Sequence, residues 1–499
     1  MIQAFCLTRP LGFLIALACA FIMAACATKA TAVEILTLEA VLKSTTQHYP
    51  KVFAAQSQYR QSQARLRSSE GGFDTKFEQS TRIRTTGYYD GFSVANKLSK
   101  PLRRANSQLF AEYRYADGDF PIYEDEFVTL GGGEIGVGLR FSLLQDRATD
   151  EARTLLDNAE LDLQVETLRF TSTLNQIQLK AAHAYLDWYK THRQYRAYQA
   201  LLQTSLERQN VIKKRVAIGD LAQVELLDNN HNLLKRESQV LKASNNIQAA
   251  AIALSMYWRG QAGHPISLSR ETEPAKTLLS ESPLLVNIDQ FMADNDPFMA
   301  DNAVNHPDIQ LLNALISQLE NQRDLYQNEL LPKADMVLKA TQDIGSGDDT
   351  REELESYVGL QFSVPLERNK AKGKLAQTIQ KIKELQYKQQ HLTDTLKTQA
   401  QESQVRFFNT QEQVEVSKQL VENAQELQRK EQKRFMAGDS DMLFLNVREE
   451  QVAEANIQLI EDEVSHLKAH LELLAYFFQL NALLKTPIDP LAELQNRTK

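Results

Sequence analysis

The sequence predicts a mainly α-helical chain made of two similar halves, each of which combines β-strands with a long helical hairpin. Three observations support this fold class: two motifs recur in the same order, helical periodicity runs uninterrupted over long segments, and short stretches alternate strictly between apolar and polar residues. The chain has 499 residues but only 19 glycines and 13 prolines. So few chain-breaking residues favour long helices over a turn-rich architecture.

Two motifs establish the internal repeat. The sequence Gly-Leu-Arg-Phe-Ser at 138–142 returns as Gly-Leu-Gln-Phe-Ser at 359–363, and a Lys-Arg motif that ends in Gly-Asp at 214–220 returns at 433–439. Gly138 and Gly219 of the first half have nearly the same separation as Gly359 and Gly438 of the second. Matched order and spacing predict that one structural unit occurs twice.

The repeat divides the chain into predicted segments. These are a signal peptide (1–32), a first repeat (33–258, with strands within 73–143 and a helical hairpin at 146–258), a linker (259–305), a second repeat (306–480, with strands within 333–365 and a hairpin at 367–480) and a C-terminal tail (481–499). The linker is assigned because helical periodicity lapses there and four prolines appear.

Long helical hairpins are predicted after each Gly-Leu-x-Phe-Ser motif. A long segment without proline follows each motif, and in the second half its apolar residues keep a spacing of three or four. At about 1.5 Å per residue, a helix over such a segment is roughly 100 Å long. A glycine then ends each helix and a second one returns, as in a coiled-coil hairpin. A spectrin-like rod or a filament protein is the alternative interpretation of these helices alone.

Alternating segments before the hairpins favour membrane strands over a pure rod. From Glu134 to Leu143, and again from Tyr357 to Val364, every second residue is apolar. Ribbons of about ten residues with this pattern match the lipid-facing and water-facing sides of a transmembrane β-barrel. A soluble sheet packed on a helix gives the same alternation. On the polar side, the predicted lumen residues are Glu134, Arg140 and Gln361.

We expect four strands per chain. The second half supplies two, near 334–341 and 356–364, and the first half supplies two more from the candidates 73–85, 108–115 and 134–143. Between its opening proline and the Gly-Leu-x-Phe-Ser motif the first half is much longer than the second, so the excess is predicted as loops or additional strand. Four strands cannot close a membrane barrel, for which about eight is the smallest common number. Several chains must therefore share one barrel, and three of them would give twelve strands.

The N-terminus has the pattern of an export signal. Arg9 precedes an apolar stretch at 11–25, which is shorter than the roughly 20 residues of a transmembrane helix. One cleavage site follows the small residues at 30–32. The other, at 23–26, resembles a bacterial lipobox with Met in place of the usual Leu; cleavage there would remove 1–25 and leave Cys26 as a lipidated first residue.

Composition excludes several kinds of chemistry. The three cysteines all lie within the predicted signal peptide, so the body of the chain holds no Cys-ligated zinc, iron–sulfur cluster or disulfide framework. A net charge of −8 argues against a nucleic-acid partner. No catalytic set or cofactor motif stands out, and the chain is not predicted to be an enzyme. His466 and His470 share one helical face and could hold a metal, but a solvated helix face is the favoured interpretation.

The arrangement as a whole resembles the TolC-like outer-membrane efflux proteins. The residues that carry the resemblance are an opening helix with Pro50, the two Gly-Leu-x-Phe-Ser strands, the hairpin turns at Gly219 and Gly438, and the strand-to-helix joint at 364–366. The resemblance implies a homotrimer with a twelve-stranded barrel in outer-membrane lipid and an α-helical tunnel below it. It also implies a periplasmic adaptor and an inner-membrane transporter as partners, and a role as a passive exit duct.

The same resemblance implies a gate at the periplasmic mouth, where three chains would bring acidic side chains together on an axis. Such a ring would repel anions and bind cations. The acidic residues at the two turns are Asp439, Asp441, Asp220 and Glu225. Phe444 and Val447 stand where the family's gating aspartates are placed, so a hydrophobic constriction is the alternative, and helix capping is an ordinary role for the acids.

A second function class competes with the channel. A periplasmic coiled-coil adaptor or scaffold would also need long helical hairpins, yet it would form no pore. The two hypotheses differ in the strands, since an adaptor is expected to flank one hairpin with separate β modules rather than to repeat the whole unit.

Overall fold

The protein is described from a computed structural model. The structure describes residues 35–104, 106–121, 128–269, 271–275, 306–347 and 353–484. The predicted signal peptide, Cys26 and most of the predicted linker and tail lie outside the described residues. Cleavage and lipidation therefore stay predictions.

Helices make up most of the described chain, as predicted. They are α1 (Leu38–His48), α2 (Pro50–Glu70), α3 (Glu151–Ala217), α4 (Gln223–Ser255), α5 (Pro307–Asn328), α6 (Asn369–Ala437) and α7 (Met442–Tyr476). Helices α3 and α6 have 67 and 69 residues, so each is about 100 Å long at roughly 1.5 Å per residue. Within the described ranges, no helix is both long enough and apolar enough to cross a lipid bilayer.

Local sequence explains where these helices begin and end. Pro50 and Pro307 occupy the first turn of α2 and α5, where a missing N–H costs no hydrogen bond. The Asp150 carboxylate accepts a hydrogen bond from the Arg153 N–H at the start of α3. Gly219 and Gly438 end the outgoing helices of the two hairpins with φ of 81° and 84°, a conformation that strongly favours glycine.

The main hydrophobic core lies where α1, α3, α4 and α7 meet. Trp188 and Tyr185 of α3 are almost fully buried there, together with Leu42 of α1 and Leu474 of α7. The Tyr185 hydroxyl donates a 2.8 Å hydrogen bond to the carbonyl of Leu36, so the buried phenol is not left without a partner. This core ties the beginning of the first repeat to the end of the second.

Both repeats close through an equivalent aromatic contact. Tyr49, which precedes the opening proline of the first repeat, stacks on Tyr257 at the end of the first hairpin, with ring centroids 5.5 Å apart. His306 precedes the opening proline of the second repeat and lies 5.8 Å from the ring of Tyr476 at the end of the second hairpin. The two halves therefore share a tertiary contact as well as sequence motifs.

Within the described residues, the strands form one six-stranded antiparallel sheet and one small parallel pair. The pair consists of β1 (Ile35–Leu36) and β6 (Glu273–Pro274). The six are β2 (Lys76–Ile83), β3 (Phe92–Leu102), β4 (Ser107–Asp117), β5 (Glu134–Ser142), β7 (Lys333–Asp343) and β8 (Glu355–Ser363), and they neighbour one another in that order. The two repeats join where β5 pairs with β7, with Leu139 opposite Leu338.

The expectation of four strands per chain is wrong. All three candidates of the first half are strands, and β3 is a fourth that the alternation does not reveal. Its pattern is obscured because Asn96 and Lys100 stand on its otherwise apolar face and Pro101 interrupts its end. The excess length of the first half is therefore additional strand, namely the hairpin of β3 and β4. The expected twelve-stranded barrel of three chains therefore loses its basis, because three sheets of six strands contain eighteen strands.

Part of the predicted linker folds back onto the first repeat. Strand β6 runs parallel to β1, and the Ser44 hydroxyl donates a 2.8 Å hydrogen bond to the carbonyl of Arg259. The chain after the first hairpin is thus tied to the base of that hairpin before it continues. Residues 276–305 of the predicted linker lie outside the described residues.

We predict that Gly138→Ala destabilises the sheet and that Gly359→Ala does not. The two glycines are equivalent in the repeated motif, but a Cβ at Gly138 would overlap the Phe110 ring and lie 2.7 Å from the carbonyl oxygen of Leu338. A Cβ at Gly359 would meet only ordinary contacts, at 3.9 Å. Overpacking of this kind costs about 1–3 kcal/mol. Urea unfolding of the purified protein measures it, and equal midpoints for the two variants would contradict the prediction.

Candidate functional site

One face of the six-stranded sheet is apolar and exposed. Val137 is 54% exposed and Leu360 is 69% exposed, although both lie in the middle of their strands. Register places the large apolar side chains on one side, because Phe77 pairs with Leu98, and Leu109 with Leu139. The other exposed members of this face are Ile83, Leu102, Tyr113, Ile135, Val358 and Phe362. A soluble monomer rarely shows so large a contiguous apolar surface.

The opposite face carries charged side chains that pair with one another. Arg114 of β4 donates a 2.5 Å hydrogen bond to the Glu134 carboxylate of β5. Lys339 of β7 lies 3.6 Å from Glu134 and also pairs with Glu112 of β4. Glu134 is 9% exposed despite its charge. Four side chains from three neighbouring strands therefore form one network in which each charge has an opposite partner.

A second polar cluster lies nearer the helical end of the same face. Arg140 donates a 2.8 Å hydrogen bond to Asp335 and a longer one of 3.5 Å to Gln361. The Ser142 hydroxyl donates to the other oxygen of Asp335, at 2.8 Å. Arg140 and Gln361, both predicted from the sequence, are thus brought together, while Glu134 belongs to the first network.

Sequence reasoning misses half of this face. It does not single out Glu112, Arg114, Asp335 or Lys339, because a charged residue in an isolated strand is indistinguishable from a solvated one until strand order and register are known. The alternation within β4 is the one available signal. Together the two clusters make a hydrophilic face whose positive and negative charges largely compensate.

A buried group of ions joins the two helical hairpins. Glu449 of α7 pairs with Arg208 of α3 and, at 3.2 Å, with Arg236 of α4. The side chains of Glu449, Arg208 and Arg236 are 4%, 14% and 6% exposed. Asn446 accepts a 2.9 Å hydrogen bond from Arg208, and Ser205 accepts one from Arg236. Sequence reasoning misses this triad as well, since its glutamate and its arginines belong to different repeats.

Position and charge make this triad a structural joint. Burial lowers the pKa of Arg208 to about 10, and the nearby positive charge of Arg236 contributes to a smaller extent. The guanidinium therefore stays charged at neutral pH. Arg208 precedes Gly219, and Glu449 follows Gly438, by about three helical turns each. At about 1.5 Å per residue, both turns are therefore roughly 16 Å beyond the triad, at the same end of the molecule.

The structure brings the four predicted gate acids to this common end. Asp220 is exposed and forms a 2.6 Å ion pair with Arg215, which assigns it a role in the first turn. Glu225 lies in the first turn of α4. Asp441 occupies the N-cap position of α7, although its side chain makes no capping hydrogen bond. Asp439 is exposed and accepts a hydrogen bond from Arg434 on its main-chain carbonyl.

Apolar side chains accompany the acids at the second turn. Phe444 is 55% exposed, Val447 is 42% exposed and Leu443 is 66% exposed. They lie within the first two turns of α7, next to buried Met442 and Leu445 that fix the helix in place. Both an acidic and a hydrophobic constriction therefore have candidates at this end.

The histidine pair is not the solvated face that the sequence suggests. His470 is 5% exposed and packs edge-on against Phe407, with 5.3 Å between ring centroids. Burial, and to a smaller extent the nearby His466, lowers the pKa of His470 to about 4, so the ring is neutral at physiological pH. Across the described ranges of the chain, no three His, Cys, Asp or Glu side chains are grouped closely enough to hold a metal ion.

Comparison with known proteins identifies the fold. No protein-family model matches the sequence, and no curated protein does. Among solved structures, the outer membrane protein VceC from Vibrio cholerae matches with a TM-score of 0.61 at 14% identity, over 88% of this chain and 95% of that one. The Campylobacter jejuni CmeC outer membrane channel gives 0.60 at 11%, over 93% and 89%. The Neisseria gonorrhoeae MtrE outer membrane channel gives 0.58 at 10%, over 91% of each chain. The chain therefore has the TolC-like fold that the sequence resemblance predicts.

We expect Glu449→Gln to weaken the joint between the hairpins. It removes the charged carboxylate that contacts the buried guanidinium groups of Arg208 and Arg236, and breaking a buried ion pair in this way typically costs about 3–5 kcal/mol. Glu384→Gln is the matched control, because Glu384 forms an exposed pair with Lys388 within α6 and such pairs contribute about 0–1 kcal/mol. Urea unfolding followed by far-ultraviolet circular dichroism compares them. A Glu449→Gln midpoint no lower than that of the control would refute the assignment.

Proposed function

We propose that this chain is the outer-membrane channel component of a tripartite efflux or type I secretion system. In this proposal three copies form a passive exit duct through the periplasm and the outer membrane. The observation that carries it is the sheet, which exposes its apolar face and shields its charged face. A soluble sheet on a core does the reverse, whereas a sheet with lipid outside and water inside needs this arrangement.

Strand length fits the bilayer. The six strands have 8 to 11 residues, and transmembrane β-strands need about 9–11 residues when they are tilted. The sheet also lies at one end of the long hairpins, because α2 leads into β2 and β8 leads into α6. One end of the molecule suits a membrane, and the remaining length of roughly 100 Å suits a water-filled space below it.

The helical end supplies surfaces for the other components. The hairpin turns carry exposed acidic and apolar side chains, and the triad of Arg208, Arg236 and Glu449 holds the two hairpins side by side. We propose that a periplasmic adaptor and an inner-membrane transporter engage this end. The cargo would then be selected by the transporter rather than by the duct.

The alternative of a pore-free periplasmic adaptor or scaffold is disfavoured by the same sheet. An adaptor in water would leave Val137, Leu360 and their apolar neighbours exposed without a partner, at about 25 cal/mol for each Å² of apolar surface. The closure of both repeats by equivalent aromatic contacts also favours a duplicated channel unit over a single hairpin flanked by separate modules.

Channel formation is tested on the protein extracted from membranes with detergent. We expect an oligomer whose gel migration changes on heating, with a cross-linked mass of three chains, and stepwise ion conductance in planar bilayers. The helical scaffold alone would give neither result. A soluble monomer without conductance would therefore refute the proposed function.

We further propose that Asp439 and Asp441 line the periplasmic mouth. Three copies of each carboxylate on one axis would bind divalent cations and hinder their passage. Both carboxylates are exposed, and the Asp441 side chain makes no capping hydrogen bond to its helix. These two observations favour a role in the pore over a role in stabilising the turn. Phe444 and Val447 would form the apolar wall beside them.

The double substitution Asp439→Ala with Asp441→Ala is expected to weaken block by Mg²⁺ and to raise single-channel conductance severalfold. The matched control, Asp157→Ala with Glu160→Ala, removes two exposed carboxylates of α3 far from the turns. Single-channel recording with Mg²⁺ added from the periplasmic side compares the two. If the two double variants respond alike, the acids are turn residues and Phe444 and Val447 become the candidates for the constriction.

A further inference from the structure

The two edges of the six-stranded sheet are complementary to each other. Within the part of the chain that the structure describes, the edge strands β2 and β8 each have a neighbouring strand on one side. Strand β2 is exposed at every residue and β8 is exposed at all but one. On the charged face, Glu78 of β2 is exposed, whereas Ser93 and Ser99 of the adjacent β3 are buried. Burial therefore falls off toward the edge.

These edges need partner strands in lipid. Each unpaired backbone N–H or C=O in a bilayer costs several kcal/mol, which is why membrane sheets close into barrels. The six strands in the described part of the chain do not suffice, because about eight is the smallest common number for a membrane barrel. Other copies of the chain can supply the strands that cover β2 and β8.

The chain directions of β2 and β8 allow these two edge strands to pair with each other. Both β2 and β8 meet helices at the same end of the sheet, since β2 begins near the end of α2 and β8 ends near the start of α6. They run in opposite directions, so β8 of one copy can pair antiparallel with β2 of the next. Unlike edges that meet head to tail generate a closed ring when the rotation between copies closes.

The alternation of faces restricts the register of this contact. If the helical ends are level, Lys76 lies opposite Ser363 and Ser80 lies opposite Gly359. On the other face, Phe77 then meets Phe362. Only shifts by an even number of residues keep the apolar face continuous, because a shift by one turns every side chain to the other face.

From these observations we propose that three copies form an eighteen-stranded barrel, with all six strands of each chain in the wall and β8 of each copy paired with β2 of the next. The trimer rests on the proposed function; the contribution of six strands and the identity of the edges rest on the sheet itself. The hairpin of β3 and β4 thus widens the barrel. Since diameter grows roughly in proportion to strand number, it is about one and a half times as wide as a twelve-stranded barrel.

Twelve strands could arise in two ways. If β3 and β4 left the wall, β2 would pair with β5 and the edges would stay β2 and β8, so that only a count of strands would reveal it. If instead β2 and β3 left the wall, β4 would be the edge, and it would have to leave β3 and pair with β8 of the next copy. This arrangement would break every residue pair that joins β3 to β4, from Phe92 with Asp117 to Leu102 with Ser107. It would bring Gln108, rather than Ser80, beside the end of β8.

Cysteine cross-linking separates the eighteen-stranded barrel from the arrangement with β4 at the edge. The body of the chain has no cysteine, so once Cys6, Cys19 and Cys26 are replaced by alanine, only the introduced pairs can form disulfides. In one series Ser80→Cys is combined in turn with Tyr357→Cys, Gly359→Cys or Gln361→Cys. In the matched series Gln108→Cys is combined with Gly359→Cys, Gln361→Cys or Ser363→Cys. Cross-links are formed in native membranes and separated on non-reducing gels, with each single variant as control.

We expect covalent trimers in the Ser80 series, with at least a fivefold higher yield at one register than at the others, and none in the Gln108 series. Trimers from the Gln108 series would overturn the eighteen-stranded barrel and leave the channel function intact. Covalent rings of two copies would overturn the strand count as well. A protein that forms no ring and does not conduct would instead refute the proposed function. Electron cryo-microscopy of the uncross-linked protein counts the strands independently, and a wall of twelve would overturn the proposal whatever the cross-links give.

Discussion

The alternation of side chains across a strand is the constraint on which the whole sheet depends. Because successive residues point to opposite sides, six strands in fixed register give one apolar and one charged face. The charged face is tolerated because its ions pair across strands, as Arg114 and Lys339 do with Glu134. A shift of one residue in any strand would break those pairs and expose charge on the apolar face. Register is therefore fixed from both faces at once.

The long helices of both repeats are stabilised by packing against one another. A helix as long as α3 or α6 cannot bury itself, so each hairpin gains stability from its partner helix and from the other hairpin. Aromatic contacts at Tyr49 and His306 close the two hairpins near their base. Near the turns, Glu449 and its two arginines join hairpin to hairpin. The main hydrophobic core, with Tyr185 and Trp188, lies at the middle of α3, so this helix is held there as well as near its turn.

How much of this could be predicted follows from the range of each interaction. Local patterns reveal the long helices, the turns at Gly219 and Gly438, and the strand that contains Leu139. Strand β3 is not predicted, because Asn96 and Lys100 break its alternation. Whether polar residues are tolerated at these two positions depends on the residues that lie opposite them in β4. The buried triad around Glu449 escapes for a related reason: its members meet only after two hairpins have packed. Interactions between distant segments leave no local signal in one sequence.

Each chain has more strands than long helices, and this difference determines which part of the proposed duct is narrowest. Each chain supplies six strands to the sheet but only four long hairpin helices, namely α3, α4, α6 and α7, within the described residues. In the proposed trimer eighteen strands stand above twelve such helices. Barrel diameter increases with strand number, so the membrane portion becomes wide, and its balanced charges exert little net field on a passing molecule. Resistance to passage then falls on the helical end, where the buried triad holds the turns at one level and where acidic and apolar side chains converge. The insertion of β3 and β4 would thus make the barrel a vestibule and leave control of passage to the helices.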